Sequence, residues 1–408
     1  MSRIDDLIAE LCPEGVTHSA IRDVATIERG RTITKAETNP GNVPVLAGGR
    51  SPAYWHTIHN RVGEHVVVAG SGAYAGFVSY WYQPTWVSDA FTVIGLDGAA
   101  RTKYLFYLLS NMQDTLHRMK RGSGVPHVYA KDVAQLIVPI PPLPVQEEIV
   151  RILDTFTKLE AELEAELEAR TKQYAVTRDR LLTLDGDLAL HPLASLTDEL
   201  SPEGVDYLPL DEIGSLFSGL SGKSKADFEN GEAPYVSYVE IANHNSLPRT
   251  LGKFVKVAPG EKQNQIRCGD VLFTGSSEDF EGVALSCEVR HDLDVPTFLN
   301  SFCFGWRPNS GIFSPGFLSY FFRSNSTRKK LQACANGVTR INISKKPFAR
   351  VVVPIPPLPV QEEIVRILDA FDALVTDISV GLPAEIAARR KQYEYYRDKL
   401  LSFEELAA

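Results

Sequence analysis

The chain has 408 residues, 44% hydrophobic and 23% charged, enough to bury ordinary cores in two or more domains. No run approaches the roughly 18 consecutive apolar residues of a membrane span, and the opening Met1-Ser2-Arg3-Ile4-Asp5-Asp6 carries acids where a signal peptide carries bases. Five cysteines with no CxxC pair fit a reducing cytosol and argue against a disulfide framework or a zinc site, so a cytoplasmic protein is expected. The net charge of −9 taken alone argues against nucleic acid, but it hides segregation. Residues 20–138 hold twelve Lys and Arg against eight Asp and Glu, and residues 208–352 hold seventeen against fourteen. Two mildly basic blocks thus alternate with two acidic ones.

In chain order, a short head around Pro13-Glu-Gly-Val16 leads into the first block. Runs at Val43–Val45, His65–Ala69, Phe77–Trp81 and Phe91–Leu96 read as strands, broken by Gly48-Gly49 and by the glycine-rich Gly70–Gly76, which reads as a turn or a loop approaching a ligand. Its basic and polar loop residues are Arg29, Arg31, Lys35 and Arg50, then a late cluster of Lys120, Arg121, Ser123, His127 and Lys131. Arg in such loops can read guanine edges, and Lys mostly positions phosphates.

Ile137-Val138 reads as the end of a strand. Prolines 139, 141 and 142 keep the chain extended, and Pro144 can open a helix where its missing N–H costs nothing. Glu147 and Glu148 then face the positive end of the helix dipole. A helical stripe follows through Ile149, Ile152, Phe156, Leu159, Leu163, Leu167 and Tyr174, including the tandem unit Leu159-Glu-Ala-Glu-Leu163-Glu-Ala-Glu. The helix predicted is ~40 residues and roughly 60 Å long.

The second half repeats the order: a head at Pro202-Glu-Gly-Val205, then a block whose strands are expected at Tyr235–Ile241, Val271–Thr274 and Phe302–Trp306. Candidate contacts here are Lys223, Lys225, Arg328, Lys330, Asn336, Thr339, Arg340, Asn342, Lys345 and Lys346. Gly219-Leu-Ser-Gly222-Lys223-Ser224 tempts a nucleotide-loop assignment, but the required glycine five positions before Gly222 is Phe217. The closing helix carries Ile364, Ile367, Phe371, Leu374 and Tyr393, with a kink or break expected at Gly381-Leu382-Pro383.

The repeat is the strongest signal. Val138–Asp154 recurs unchanged as Val353–Asp369, an offset of 215, and Lys172–Leu182 matches Lys391–Leu401 at 219. Tyr104–Val125 pairs more weakly with Phe317–Val338 at an offset of 213, ending in a shared Gly-Val. The blocks between are otherwise dissimilar. Long amphipathic helices with no core of their own are most simply covered by packing against each other, antiparallel, about a pseudo-two-fold axis. The expected class is α+β: two mixed α/β domains separated by two long antiparallel helices. The boundaries read as 1–138, 139–190, 191–353 and 354–408. No catalytic constellation stands out.

The duplicated "PIPPLPVQEEIVRILD" at 139–154 and 354–369, the paired "KQY…RD…LL" helix ends and the two unlike blocks resemble the specificity (S) subunit of type I restriction-modification systems, over essentially the whole chain. It is most similar to the branch whose central helix carries tandem four-residue units. The resemblance implies two target-recognition domains reading the halves of a split, asymmetric site in double-stranded DNA. The helices would form a spacer and a docking surface for two methyltransferase (M) subunits, which two motor-nuclease (R) subunits would join. S-adenosylmethionine, ATP and Mg2+ would bind those partners, and this chain would carry no cofactor, metal or catalytic residue. The competing reading of the residues alone is a coiled-coil adaptor between proteins that never touches DNA.

Overall fold

A computed structural model describes residues 3–122, 124–184, 192–377 and 379–406. Ser123, and the boundary placed at residue 190, lie outside the described residues. The chain forms two compact units, Met1–Ala165 with Glu385–Ala408, and Glu166–Ala384. The helix Leu143–Leu182 is therefore shared: its first part belongs to the first unit and its second part to the other.

In the first unit an antiparallel four-stranded sheet runs in the order Ala25–Arg29, Ala90–Gly95, His65–Ala69, Val78–Trp81. A three-stranded sheet pairs Val43–Leu46 antiparallel with Tyr54–His56 and parallel with Trp86–Val87. Thr17–Ala20 pairs antiparallel with Ile137–Ile140, the strand that leads into the proline motif. The strands expected here all form, because each is an apolar run punctuated by glycine or proline.

The second unit repeats this frame on unlike sequence. Its four-stranded sheet runs Gly214–Ser218, Cys303–Pro308, Val271–Thr274, Ser286–Glu288. Ala233–Val236 pairs antiparallel with Phe254–Val255 and parallel with Phe298–Leu299, and Asp206–Pro209 pairs with Val352–Ile355. The strand expected at Tyr235–Ile241 is a correction. The chain leaves the sheet at Val236 and turns into a helix, Tyr238–Asn243. Ser237 and Glu240 form a capping box there, satisfying free N–H groups at the helix start, and this local signal overrides the β-branched run.

The first proline motif opens a 40-residue helix, Leu143–Leu182. The second copy is broken, into Leu358–Thr376 and Leu382–Leu400. Gly381 closes the first piece by donating to the Asp377 carbonyl at 3.0 Å. A Cβ at Gly381 would meet the carbonyl oxygens of Leu374 at 2.6 Å and Asp377 at 3.0 Å. The expected break is thus present, and glycine permits it by close approach.

Within the first unit the two helical pieces run antiparallel. Phe156 lies against Tyr393 and Tyr396, and further along Arg390 pairs with Glu160 (2.5 Å) and Glu164. In the second unit the matching residues meet again, Tyr174 stacking on Phe371 with centroids 6.3 Å apart. Ile149 and Ile364 are fully buried in their units' cores, and Ile152 and Ile367 pack against them. Leu163 is buried and Leu159 half-buried, whereas Leu374 is 38% exposed and its neighbour Val375 fills the buried position. No helix among the described residues is long and apolar enough to cross a membrane.

Candidate nucleic-acid interface

In each unit the late hairpin meets the end of an inner strand of the four-stranded sheet. In the first unit that strand stops at Gly70, whose N–H donates to the Asp89 carbonyl and whose carbonyl accepts from Val128, both at 3.0 Å. Ser71 bridges to His127, and Gly72 donates to the Pro126 carbonyl at 3.0 Å. The late cluster is a tight hairpin: Arg121 and His127 exchange backbone hydrogen bonds at 2.9 and 2.8 Å. Gly122 turns it with φ +115°, a conformation that favours glycine.

The second unit builds the same arrangement. Gly275 donates to the Phe302 carbonyl at 2.9 Å and accepts from Ile343 at 3.0 Å. Ser276 faces Asn342, Asn336 pairs with Asn342, and Gly337 turns the hairpin with φ +120°. Gly337 therefore matches Gly122, at an offset of 215. Alignment on the shared Gly-Val, which equates Gly337 with Gly124, is off by two residues. The backbone role of the glycine, rather than its neighbour, defines the match.

Around Gly70, Arg50 is exposed with its guanidinium 4.8 Å above the Tyr74 ring. Lys120 donates to the Ala73 carbonyl at 2.9 Å, and Arg121 lies 3.4 Å from Asp132. His127 stacks on Tyr129, with centroids 6.0 Å apart, and Lys131 approaches the same ring at 5.9 Å. Arg29, Arg31 and Lys35 are exposed on the adjoining segment. Its backbone is held by Arg31 donating to the Val87 carbonyl (2.9 Å) and by Ile33 donating to Ser88 (3.2 Å), next to the Asp89 that holds Gly70.

In the second unit Arg340 sits 4.8 Å above the Phe302 ring, and Lys345 lies 5.9 Å from Phe304. Asn336 donates to Ser344 at 2.5 Å, and Asn342 to the Arg340 carbonyl at 3.2 Å. Thr339, Lys330 and Lys346 are exposed, and Lys225 is exposed beside Glu229.

Two candidates turn out to be committed elsewhere. The Lys223 side chain is 7% exposed, paired with Glu261 at 2.6 Å and donating to the Lys256 carbonyl. That pairing, with help from Gln263 and the Ala258 N–H, holds the Glu261 carboxyl down at about 2. Arg328 spends its guanidinium on the carbonyls of Ala284 and Glu281, and burial lowers its pKa. Lys and Arg letters alone could not distinguish such structural uses from free surface cations.

The proline motif also does work that sequence reading did not assign. Gln146 is fully buried: its side-chain oxygen accepts from the Arg101 N–H at 2.8 Å, and its amide donates to the carbonyls of Ala99 (3.0 Å) and Pro141 (2.8 Å). Gln361 repeats this on the Ser314 N–H (2.9 Å) and the carbonyls of Ile312 (3.0 Å) and Pro356 (2.8 Å). The identity of these glutamines in both copies was the available signal. Each pins the loop before a block's closing helix to the start of the motif helix, fixing the block on its scaffold. Among the described residues no group of His, Cys, Asp and Glu could hold a metal ion.

A family profile described as the type I restriction modification DNA specificity domain matches residues 13–169 and again 202–388. The chain is 29% identical over 327 residues to the type I restriction enzyme EcoR124I/EcoR124II specificity subunit of Escherichia coli, covering 75% of this chain and 72% of that one. It is 26% identical over 383 residues to a putative type I restriction enzyme specificity subunit of Haemophilus influenzae, covering 89% of each. Among solved structures, the type I S subunit from M. genitalium superposes with a TM-score of 0.55 at 16% identity, over 95% of this chain and 96% of that one. The HsdS subunit from Thermoanaerobacter tengcongensis gives 0.52 at 19%, over 96% and 97%. Both show the same fold.

Proposed function

The chain belongs to the type I restriction-modification DNA specificity family, and from that premise we propose that it is the DNA-reading subunit of a type I restriction-modification complex. Each unit reads one half of a split, asymmetric site in double-stranded DNA. The observation that carries this is the pairing of a repeated frame with unlike loops: Gly70 and Gly275 anchor equivalent hairpins, yet one hairpin presents Arg121 and His127 and the other Asn336, Thr339 and Arg340. A protein that used both halves to read the same bases would have no reason to differ there.

The helices carry the units and dock two methyltransferase subunits, through which two motor-nuclease subunits join. S-adenosylmethionine, ATP and Mg2+ act in those partners, and this chain supplies base recognition and spacing. Phosphate contacts from Lys120, Lys131, Lys345 and Lys346 position the duplex, and arginine and asparagine side chains in the hairpins meet base edges.

Charge reversal tests this against the adaptor reading, which family membership does not favour. Arg121→Glu with Lys131→Glu, in the complex with its methyltransferase subunits, should lower DNA affinity and flatten its dependence on salt. An adaptor that never touches DNA would keep both unchanged.

A further inference from the structure

Most arginines of the second unit are already spent. Arg307 is paired with Asp270 at 2.7 Å, Arg290 with Asp369 at 3.0 Å, and Arg323 and Arg328 donate to backbone carbonyls. Arg340 differs. Its guanidinium makes no hydrogen bond or ion pair among the described residues, yet it is held 4.8 Å above the ring of Phe302, which is itself 54% exposed. Among the described residues the first unit contains one counterpart. Arg50, likewise without a hydrogen bond or ion pair among the described residues, lies 4.8 Å above Tyr74, a ring 43% exposed.

The two pairs are not related by the repeat. Arg50 follows the strand Val43–Leu46, and Arg340 lies in the late hairpin. Both nevertheless border the glycine that ends that inner strand: a Cβ on Gly48 would run into the Ser71 carbonyl beside Gly70, and Phe302 accepts from Gly275 itself. The same device has been assembled from different loops.

An arginine lying over an aromatic face keeps the donors of its planar guanidinium free, and the contact restricts its rotamers before binding. Two coplanar donors match the O6 and N7 acceptors of guanine in the major groove, the commonest specific arginine contact. A phosphate makes no comparable demand for a fixed plane.

Resting on the specificity-subunit reading, we propose that Arg340 backed by Phe302, and Arg50 backed by Tyr74, each read a guanine, one in each half of the DNA site. Phe302 and Tyr74 act as positioning residues, holding the guanidinium plane rather than touching the base.

The test uses the complex of the chain with its methyltransferase subunits and duplexes carrying its own methylated motif, with single base pairs changed in turn. Wild type should prefer guanine by about 5- to 150-fold at one position in each half. Arg340→Ala should bring that preference to within about twofold at one position of one half, leaving the other half alone, and Arg50→Ala should do the converse. Phe302→Ala should weaken the preference at the Arg340 position, and Phe302→Tyr should restore it. If Arg340→Ala weakens every duplex by a common factor with preferences intact, the arginine contacts phosphate and the proposal is wrong. Unchanged binding to all duplexes would overturn it equally. A wild-type complex that binds every duplex alike would instead overturn the specificity-subunit reading itself, before any variant is compared.

Discussion

Tyr107 donates a hydrogen bond to Asp154 at 2.6 Å, joining the closing helix of the first block to the motif helix, and Tyr320 makes the same bond to Asp369 at 2.5 Å in the second unit. A cation completes each, Lys103 at 2.8 Å from Asp154 and Arg290 at 3.0 Å from Asp369. Burial first, then the neighbouring carboxylate, pushes both tyrosines above the usual phenol range. They remain neutral donors at any physiological pH. Tyr107→Phe and Tyr320→Phe each remove one donor and leave the carboxylate its cation, so each should cost about 1 kcal/mol in denaturant unfolding. A loss confined to one of the two would contradict their equivalence.

The buried glutamines predict a larger effect. Gln146→Leu would strand the Arg101 N–H and the carbonyls of Ala99 and Pro141, and Gln361→Leu the corresponding groups of the second unit. A buried orphaned group costs about 1–3 kcal/mol and a half-buried one less, so either variant should lose roughly 2 kcal/mol or more, or fail to accumulate as folded protein. Gln146→Glu places a carboxylate oxygen against the carbonyls of Ala99 and Pro141, so its loss should shrink as pH falls and the carboxyl gains a proton to donate. A loss that does not change with pH would contradict the clamp.

His65 gives a pH dependence. It is fully buried, its Nδ1 2.8 Å from the Gly63 carbonyl and its Nε2 2.8 Å from the Thr85 hydroxyl. Burial lowers its pKa below 6.5, with Arg61 acting in the same direction and the Gly63 bond opposing. The unfolded chain therefore binds a proton that the folded chain resists. The resulting stability is present above about pH 6.5 and is lost as pH falls through the folded value. The thermal midpoint of His65→Gln should fall less steeply than that of wild type between pH 6.5 and 5. Parallel slopes would remove His65 from the account.

Each feature is legible in the sequence only as far as the kind of signal it leaves there allows. Identity between copies exposed the scaffold, and the length of the Leu143–Leu182 helix followed from its stripe. The break at Gly381 was visible because the offset changes from 215 to 219 there. The common sheet frame of the two blocks was not visible, since strand pairing depends on which faces are buried rather than on shared letters. Tyr74 and Phe302 were missed for a related reason. Exposed aromatics in loops have no period, and their partners Arg50 and Arg340 are separated from them by 24 and 38 positions. Lys223 and Arg328 were overestimated because the groups that occupy them, Glu261 and the carbonyls of Glu281 and Ala284, are also remote in sequence.

The tandem unit makes a geometric prediction. Glu160 and Glu164 sit four residues apart and both engage Arg390. Deleting either Leu-Glu-Ala-Glu unit yields the same chain, with glutamates still four apart, so Arg390 keeps its acceptors. The helix loses ~6 Å and turns by a further ~40°. The gap between half-sites should shrink by roughly two base pairs of 3.4 Å, with the bases of both halves unchanged. A methylated motif that kept its gap, or changed its bases, would contradict the spacer role.

The most direct measurement maps methylated bases in host DNA with this chain present, absent, or carrying residues 206–355 of a relative in place of its own, always with the same methyltransferase subunits. The account predicts a two-part motif that disappears without the chain, and in the hybrid a motif in which one half changes and the other half stays as it was. A motif that persists without the chain, or that the exchange leaves untouched, would contradict the claim that these two units choose the DNA sequence.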